Sequence, residues 1–549
     1  MRHLHRNFVW VLLLLAFGWA APGLPSTAAQ EPARARKQRL QEERELRRRA
    51  DRFRARVEAI LAGQDASVPR PRAHRRPPQP GEPTLEELRA RIPKGRWGVL
   101  IADAASGQTL FARDAENYFT PASNTKLYTT ALALALLGPH YRFRTTVETY
   151  GTVDARGRLL GDLILVGRGD PNLSNRKLPY DPQQEYDGPA EKILELLAEG
   201  VVAAGVKQIE GDLVADASWF AAERYPPGWT IDDMTFRYGA PVSALTVHDN
   251  ALAVEVRPGE TAGAPVWFSV EPWADFYEFR NEAVTAAADA EIAEEDELRL
   301  VREPGSRVVT LRGRLPLGAE KETLWLAVEE PAAHAAALFR RILEQRGVRV
   351  YGRPRVRTEP PHSNPPATVL AEHVSLPLIE AVRVVNKVSQ NLHAELLLRT
   401  VAKEKTGTGS REAGLALLQE FLETSGIARG EVSPEDGSGL ARQNLLTPAA
   451  TVALLRWVAR QPWGEAYRAT LPVAGFDGTL RDRMKETAAA GHIFAKTGTL
   501  ENSNALSGYA ETRSGRRLVF AIFGNQHHLP SWAATDVIDA ICAAMVEEF

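Results

Sequence analysis

Cysteine is all but missing: Cys542 is the only one in 549 residues. A lone thiol closes no intramolecular disulfide, and within Ala540-Ile541-Cys542-Ala543-Ala544-Met545 it reads as a core residue. An excess of charge is missing too. Lys and Arg number 67 against 69 Asp and Glu, so nothing marks the whole chain as a nucleic-acid binder. After residue 21 no apolar run is long enough to cross a bilayer. The chain is too long for one ordinary core, and two or three domains are expected. Without disulfides those cores must hold it together.

What is present begins with the N-terminus. Arg2, His3, His5 and Arg6 precede an apolar run from Phe8 to Ala21, and Thr27-Ala28-Ala29 supplies small residues for cleavage. This is the pattern of a secretory signal peptide over residues 1–29; an uncleaved anchor is the alternative. No Cys follows the run to carry a lipid. Export is therefore expected. Residues 31–63 are Arg-rich, with Leu46, Ala50, Phe53, Val57 and Ile60 recurring as one helical stripe. The plain reading is a solvated helix, or one docked on the body. The sharper reading is a short coiled coil, or a basic arm making at most peripheral contact with an anionic membrane or wall polymer. Residues 67–84 are Pro- and Arg-rich, as in a stiff linker.

Three short stretches carry chemistry: Ser123-Asn124-Thr125-Lys126, Ser389-Gln390-Asn391 and Lys496-Thr497-Gly498-Thr499. An S-x-x-K, an S-x-N and a K-T-G in that order are the parts of a serine acyl-transfer site. Each alone is weak. Ser174-Asn175-Arg176-Lys177 also fits S-x-x-K, and Lys405-Thr406-Gly407-Thr408 repeats K-T-G-T. Context separates the copies. Ser123 opens a small, apolar helical run that stops at Gly138, which puts Lys126 one turn along the same face. Ser174 runs into Leu178-Pro179-Tyr180-Asp181-Pro182, which no helix survives. Lys496 lies in a strand pattern, whereas Lys405 ends a helix.

Thr84 opens a helix with a capping-box pattern. Trp97 to Asp103 and Thr109 to Arg113 read as a hairpin around Ala105-Ser106-Gly107-Gln108. Between Leu137 and about Ser375 lies a long excursion of short strands and turns, at Leu159 to Val166, Gln208 to Ala215, Leu245 to Val256, Leu298 to Leu311 and Val348 to Arg357. Helices are expected at Leu376 to Val388, Ala394 to Lys403, Arg411 to Thr424 and Pro448 to Arg460. A strand (Leu518 to Gly524) and a helix (Ala533 to Glu548) end the chain. Because Ser123 and Ser389 must meet, the excursion reads as a domain inserted into the catalytic one. The expected fold is α+β, an antiparallel sheet closed by both ends of the body with helices between. In residue numbers, the leader covers 1–29 and the charged helix and linker 30–84. The catalytic domain covers 85–143 and 371–549, around a strand-rich insertion over 144–370.

The flanking residues narrow the reading. Pro121-Ala-Ser-Asn-Thr-Lys-Leu, Gly167-Arg-Gly-Asp-Pro-Asn-Leu, Tyr238-Gly-Ala-Pro-Val-Ser-Ala-Leu, Asn386-Lys-Val-Ser-Gln-Asn, Asp436-Gly-Ser-Gly-Leu and Ala495-Lys-Thr-Gly-Thr-Leu resemble the D-alanyl-D-alanine carboxypeptidase/endopeptidase family, the class C low-molecular-mass penicillin-binding proteins. The resemblance runs from about residue 85 to the C-terminus. It implies a penicillin-binding, transpeptidase-like catalytic domain with a large insertion between the first two motifs. It also implies action on peptidoglycan peptides that end in D-Ala-D-Ala or are D,D-cross-linked, β-lactams as inhibitors, no metal or cofactor, and no nucleic-acid partner.

The residue types suit that chemistry. A serine hydroxyl needs a base, and Lys126 can act if burial and a nearby positive charge, expected from Lys496, neutralise it. Ser389 would relay the proton to the leaving amine. Asn391 would hold a substrate amide. Lys496, Thr497 and Thr499 would bind the terminal carboxylate, Gly498 would let the substrate backbone pass close, and the N–H groups of Ser123 and Thr499 would hold the oxyanion. Asp170 is either a turn former before Pro171 or a carboxylate for the ammonium of a diamino-acid side chain. Asp436-Gly-Ser-Gly reads as a structural loop near the cleft, and Asn386 and Lys387 either touch the site or brace it. His527-His528 reads as exposed loop rather than a metal pair. A β-lactamase, or a cell-wall scaffold with a vestigial site, are the rival functions.

Overall fold

The computed structural model describes residues 33–70, 82–361 and 366–549. The leader expected over 1–29 and residues 71–81 of the linker lie outside the described residues, as does the side chain of Leu46. By its contacts the chain divides after Arg49, and the body is Ala50–Phe549. Among the described residues no helix is long and apolar enough to cross a membrane.

At the centre of the body is a five-stranded antiparallel sheet in the order Thr109–Arg113, Arg96–Asp103, Arg517–Asn525, Ser503–Glu511, Ile493–Leu500. Its strands come from the two ends of the body, with Arg96 opposite Asn525 and Asp103 opposite Leu518. The strand Arg517–Asn525 is buried along nearly its whole length. Side chains alternate between faces, so both faces of the sheet are covered. Val519, Ala521 and Phe523 join the helical core formed by Thr125–Leu137, Leu378–Lys387, Asn391–Thr406, Arg411–Thr424 and Pro448–Ala459. The C-terminal helix Ser531–Glu548 packs on the strand Ser503–Glu511. Mixed helices and antiparallel strands make the fold α+β, as the sequence pattern indicates.

The first strand follows a helix whose capping box closes as read: Glu87 N–H donates to Thr84 Oγ1 at 3.2 Å, and Thr84 N–H to Glu87 Oε2 at 2.7 Å. The helix Ala33–Leu61 buries Phe53, Val57, Ile60 and Leu61. Phe53 meets Phe111 edge-on at 6.2 Å and Phe549 at 5.2 Å. Of the readings offered for this stripe, docking on the body is the one realised from Ala50 onward.

The excursion carries its own sheets and cores. A five-stranded sheet runs Pro354–Arg357, Leu213–Asp216, Leu163–Val166, Arg144–Thr149, Thr368–Val374, and a four-stranded one runs Arg349–Val350, Gln208–Ile209, Arg158–Leu160, Thr152–Val153. Three strands read as continuous are thus each broken in two, at Gly161, Gly211 and Gly352. A Cβ on Gly211 would lie 2.5 Å from the Gly161 carbonyl, and one on Gly352 would lie 2.1 Å from the Gly211 carbonyl. The three glycines nest where each chain crosses from one sheet to the other, which alternation of apolar residues does not reveal. Leu298 to Leu311 is likewise two strands, Arg299–Val301 and Val308–Arg312. The helices Lys192–Ala203 and Pro331–Gln345, absent from the sequence reading, pack into the core of these sheets.

Docking of the N-terminal helix rests on Phe53, beside trypsin sites at Arg52, Arg54 and Arg56. Removing the ring forfeits about 3–5 kcal/mol of burial. Phe53→Ala should therefore open this segment to tryptic cleavage under conditions where the parent chain resists it. Equal cleavage of the two, followed by mass spectrometry, would show that the contact does not hold the helix.

Candidate active site

Ser123 lies in a short 3-10 turn, Ala122–Asn124, that runs straight into the helix Thr125–Leu137. The turn is wedged between two glycines. A Cβ on Gly439, at φ +84°, would meet the Ala122 carbonyl at 1.9 Å, and one on Gly498 would meet the Pro121 carbonyl at 2.5 Å. Gly498 thus makes room for the nucleophile turn. Asn124, fully buried, donates to the Lys496 carbonyl at 3.1 Å and ties the turn to the K-T-G strand. The helix behind is stitched down by hydroxyls: Tyr128 to Thr451 at 2.9 Å, Thr129 to the Gly437 carbonyl at 2.6 Å, and Thr130 to Tyr467 at 3.0 Å.

The three motifs converge. Lys126 Nζ lies 2.9 Å from Ser123 Oγ, 2.6 Å from Asn391 Oδ1 and 2.5 Å from the Ser438 carbonyl oxygen. Lys496 Nζ lies 2.8 Å from Ser389 Oγ and 2.8 Å from the Thr497 carbonyl oxygen. Asn391 Nδ2 donates at 2.8 Å to the carbonyl of Tyr238, a residue of the excursion. Ser389 holds the left-handed φ of +61°, uncommon for a non-glycine residue and often a sign of a constrained functional position. The copies at Ser174 and Lys405 lie in a 3-10 turn and at a helix end.

Burial governs the charges. Lys126 is fully buried, and desolvation pulls its pKa down to about 7 against the opposing pull of Asp436 and Glu395. Lys496, equally buried, is held well below the ordinary lysine range by desolvation and then by the charge of Lys126. Of the two causes expected to neutralise Lys126, loss of water is the larger. A neutral amine has two N–H bonds and one lone pair. Asn391 Oδ1 and the Ser438 carbonyl can only accept, so they take the two N–H bonds. The lone pair is left facing the Ser123 hydroxyl, the geometry of a general base.

The cleft in front is lined by Ser123, Ser389, Asn391 and Thr499. Lys496 and Thr497 lie behind the surface, and the Thr497 hydroxyl donates to Thr479 Oγ1 at 2.7 Å. Of the three side chains expected to meet a carboxylate, Thr499 is the one on the wall. Asp170 is elsewhere. It is fully buried, caps the turn Pro171–Ser174 by accepting from Asn172 N–H at 2.8 Å, and burial raises its pKa to about 7. The excursion's carboxylate that lines the cleft is Asp233, which accepts from Arg442 at 3.3 Å. Asn386 and Lys387 brace: the first donates to Thr470 at 2.9 Å, and the second pairs with Asp477 at 2.5 Å. His527, expected to be exposed, is buried. Its Nε2 bonds Asn504 Oδ1 at 3.1 Å, and its Nδ1 accepts from Leu529 N–H at 3.0 Å. His528 is exposed.

The model of the D-Ala-D-Ala carboxypeptidase 3 (S13) family matches residues 84–546. The chain belongs to this family. S13 members are serine-type D-Ala-D-Ala carboxypeptidases, and the chain is such a hydrolase. A D-alanyl-D-alanine carboxypeptidase of Actinomadura sp. (strain R39) is 37% identical over 461 residues, which is 82% of this chain and 81% of that one. The D-alanyl-D-alanine carboxypeptidase DacB of Haemophilus influenzae is 27% identical, over 80% of this chain and 88% of its own. The crystal structure of penicillin binding protein 4 from Haemophilus influenzae is similar at a TM-score of 0.71 and 25% identity, covering 83% of this chain and 97% of that one.

If Lys126 must be neutral to accept a proton, acylation of Ser123 is fastest above its pKa. The rate should fall about tenfold per unit as pH drops below about 7. Pre-steady-state acylation measured between pH 5 and 9 checks this, and a rate flat across that range would count against Lys126 as base.

Proposed function

We propose that this S13 enzyme is exported and removes terminal D-Ala from peptidoglycan stem peptides, or cuts D,D-cross-links between them, through an acyl-enzyme on Ser123. The observation that carries this reading is the buried amine of Lys126, 2.9 Å from Ser123 Oγ. In the acylation step the proton of Ser123 passes to Lys126 Nζ as Oγ bonds to the substrate carbonyl carbon. The carbonyl oxygen becomes the oxyanion, and the N–H groups of Ser123 and Thr499 suit it because both residues line the cleft. Collapse expels the D-amino acid as an amine, which takes a proton through Ser389, held by Lys496 at 2.8 Å. Water then hydrolyses the ester and frees Ser123. Asn391 orients the substrate amide from the opposite wall.

Lys496 would act on the terminal carboxylate through Ser389 and the field it creates, with Thr499 as the direct contact. Asp233 and Arg442 put a charge of each sign on the wall, which suits a stem peptide carrying both. The segment 144–370 would be an accessory domain whose Tyr238 and Asp233 complete the cleft. A leader over 1–29 would direct the protein to the periplasm or cell-wall space. β-Lactams, which present the same acyl donor, should trap Ser123.

Incubation with a fluorescent penicillin, followed by peptide mapping, should yield a lasting adduct on Ser123, and Lys126→Ala should lower its rate of formation at least a hundredfold. Destroyed penicillin without a lasting adduct would favour a β-lactamase. Intact penicillin with folded protein would favour a vestigial site.

A further inference from the structure

The Asp436-Gly437-Ser438-Gly439 loop is packed against the site by a single carboxylate. Asp436 is fully buried. Its Oδ1 accepts from Gly439 N–H at 2.6 Å and Asn444 Nδ2 at 2.9 Å. Its Oδ2 accepts from Ala441 N–H at 2.8 Å, Trp229 Nε1 at 2.9 Å and Ser438 Oγ at 3.1 Å. Five donors converge on the roughly four lone-pair sites of one carboxylate and tie the loop to it. The residue between is held as well: Gly437 N–H donates to Glu395 Oε1 at 2.8 Å, and its carbonyl accepts from Thr129 at 2.6 Å. What remains unpaired by the loop itself is the Ser438 carbonyl, which lies 2.5 Å from Lys126 Nζ.

We propose that Asp436 is a positioning residue for acylation: it fixes the Ser438 carbonyl on the Lys126 amine, and that carbonyl turns the amine's lone pair toward Ser123. A neutral amine rotates freely about its Cε–Nζ bond. Two fixed acceptors define its orientation and one does not. Asn391 supplies one acceptor and the Asp436 loop supplies the other. The charge acts alongside the geometry. Lys126 is faced by Asp436 from this loop, by Glu395 from the helix Asn391–Thr406, with Arg399 2.7 Å behind it, and by Lys496 from the K-T-G strand. Asp436 and Glu395 both favour the protonated amine, so they keep Lys126 basic enough to take a proton despite its burial.

The proposal rests on the acyl-enzyme reading, and stopped-flow acylation by a fluorescent penicillin across pH 5–9 tests it. In Asp436→Asn the plateau rate should fall about a hundredfold, from lost alignment of the base. The apparent affinity of the preceding complex should hold within about threefold, since Asp436 does not touch the ligand. The acid limb should move down by about one pH unit, because a negative charge near Lys126 is gone. A purely structural role would scale the profile by the folded fraction, read from near-UV circular dichroism, and leave its limb in place; that result overturns the proposal. Should Asp436→Asn not fold, Ser438→Ala decides. It removes one of the five donors but no charge, so a plateau that stays slower after correction for the folded fraction, with the limb unmoved, supports the proposal, and a corrected rate equal to the parent's overturns it. A parent protein that never acylates refutes the acyl-enzyme reading instead.

Discussion

An amine cut off from water is the constraint around which this molecule is built. Lys126 has no exposure, and a charged ammonium in such a place is expensive unless every N–H is met. The structure meets its three hydrogen-bonding directions with groups from three separate stretches of chain: Ser123, Asn391 and Ser438. Burial lowers the pKa until the neutral base is accessible, and the carboxylates of Asp436 and Glu395 stop the fall near neutrality. A strongly basic lysine would stay protonated, and one with a very low pKa would be a poor proton acceptor. The balance between desolvation and buried charge is therefore the catalytic setting.

Holding that balance requires rigid surroundings. The nucleophile turn is fixed by contacts that admit no side chain, with Gly439 on one side and Gly498 on the other. The K-T-G strand is clamped by Asn124, and the helix bearing Asn391 is anchored to the excursion through the Tyr238 carbonyl and through His393, which meets Asp249 Oδ1 at 2.8 Å. Asp249 sits in a run of three residues, His248 to Asn250, all with left-handed φ between 49° and 56°. Such a run is unfavourable outside glycine. It is offset by the burial of Asp249 against Arg176 and Tyr186. The excursion is thus structurally continuous with the site, although most of its surface lies far from the motifs in sequence.

Much of this was legible in the chain. The three motifs, the choice between their duplicate copies and the sheet built from both ends of the body all follow from local pattern, because each depends on neighbours within a few residues or on one strand period. The helices at Lys192–Ala203 and Pro331–Gln345 were not seen, and strands crossing at Gly161, Gly211 and Gly352 were read as unbroken. The strand breaks have a physical cause: apolar alternation reports that a segment is buried but not which sheet it joins. Of the two readings the sequence offers for Asp170, the buried cap of Pro171–Ser174 realises the turn former. The third partner of Lys126 is a backbone carbonyl, and no residue type announces a carbonyl's direction. Asp233 carries no pattern at all; only the folding of the excursion over the cleft brings it to the wall beside Arg442.

The pairing of Arg96–Asp103 with Arg517–Asn525 carries a consequence in time. Contacts separated by more than four hundred positions are among the last a chain can make, and closing so large a loop is slow. The K-T-G strand is joined to the strand bearing Trp97 only through that late partner, by the order of the sheet. Asn124 and Lys496 lie 372 positions apart, so a chain still being made keeps its nucleophile turn and its second lysine unjoined until the K-T-G strand arrives. A copy that stops short of Lys496 therefore carries the nucleophile without the rest of its site.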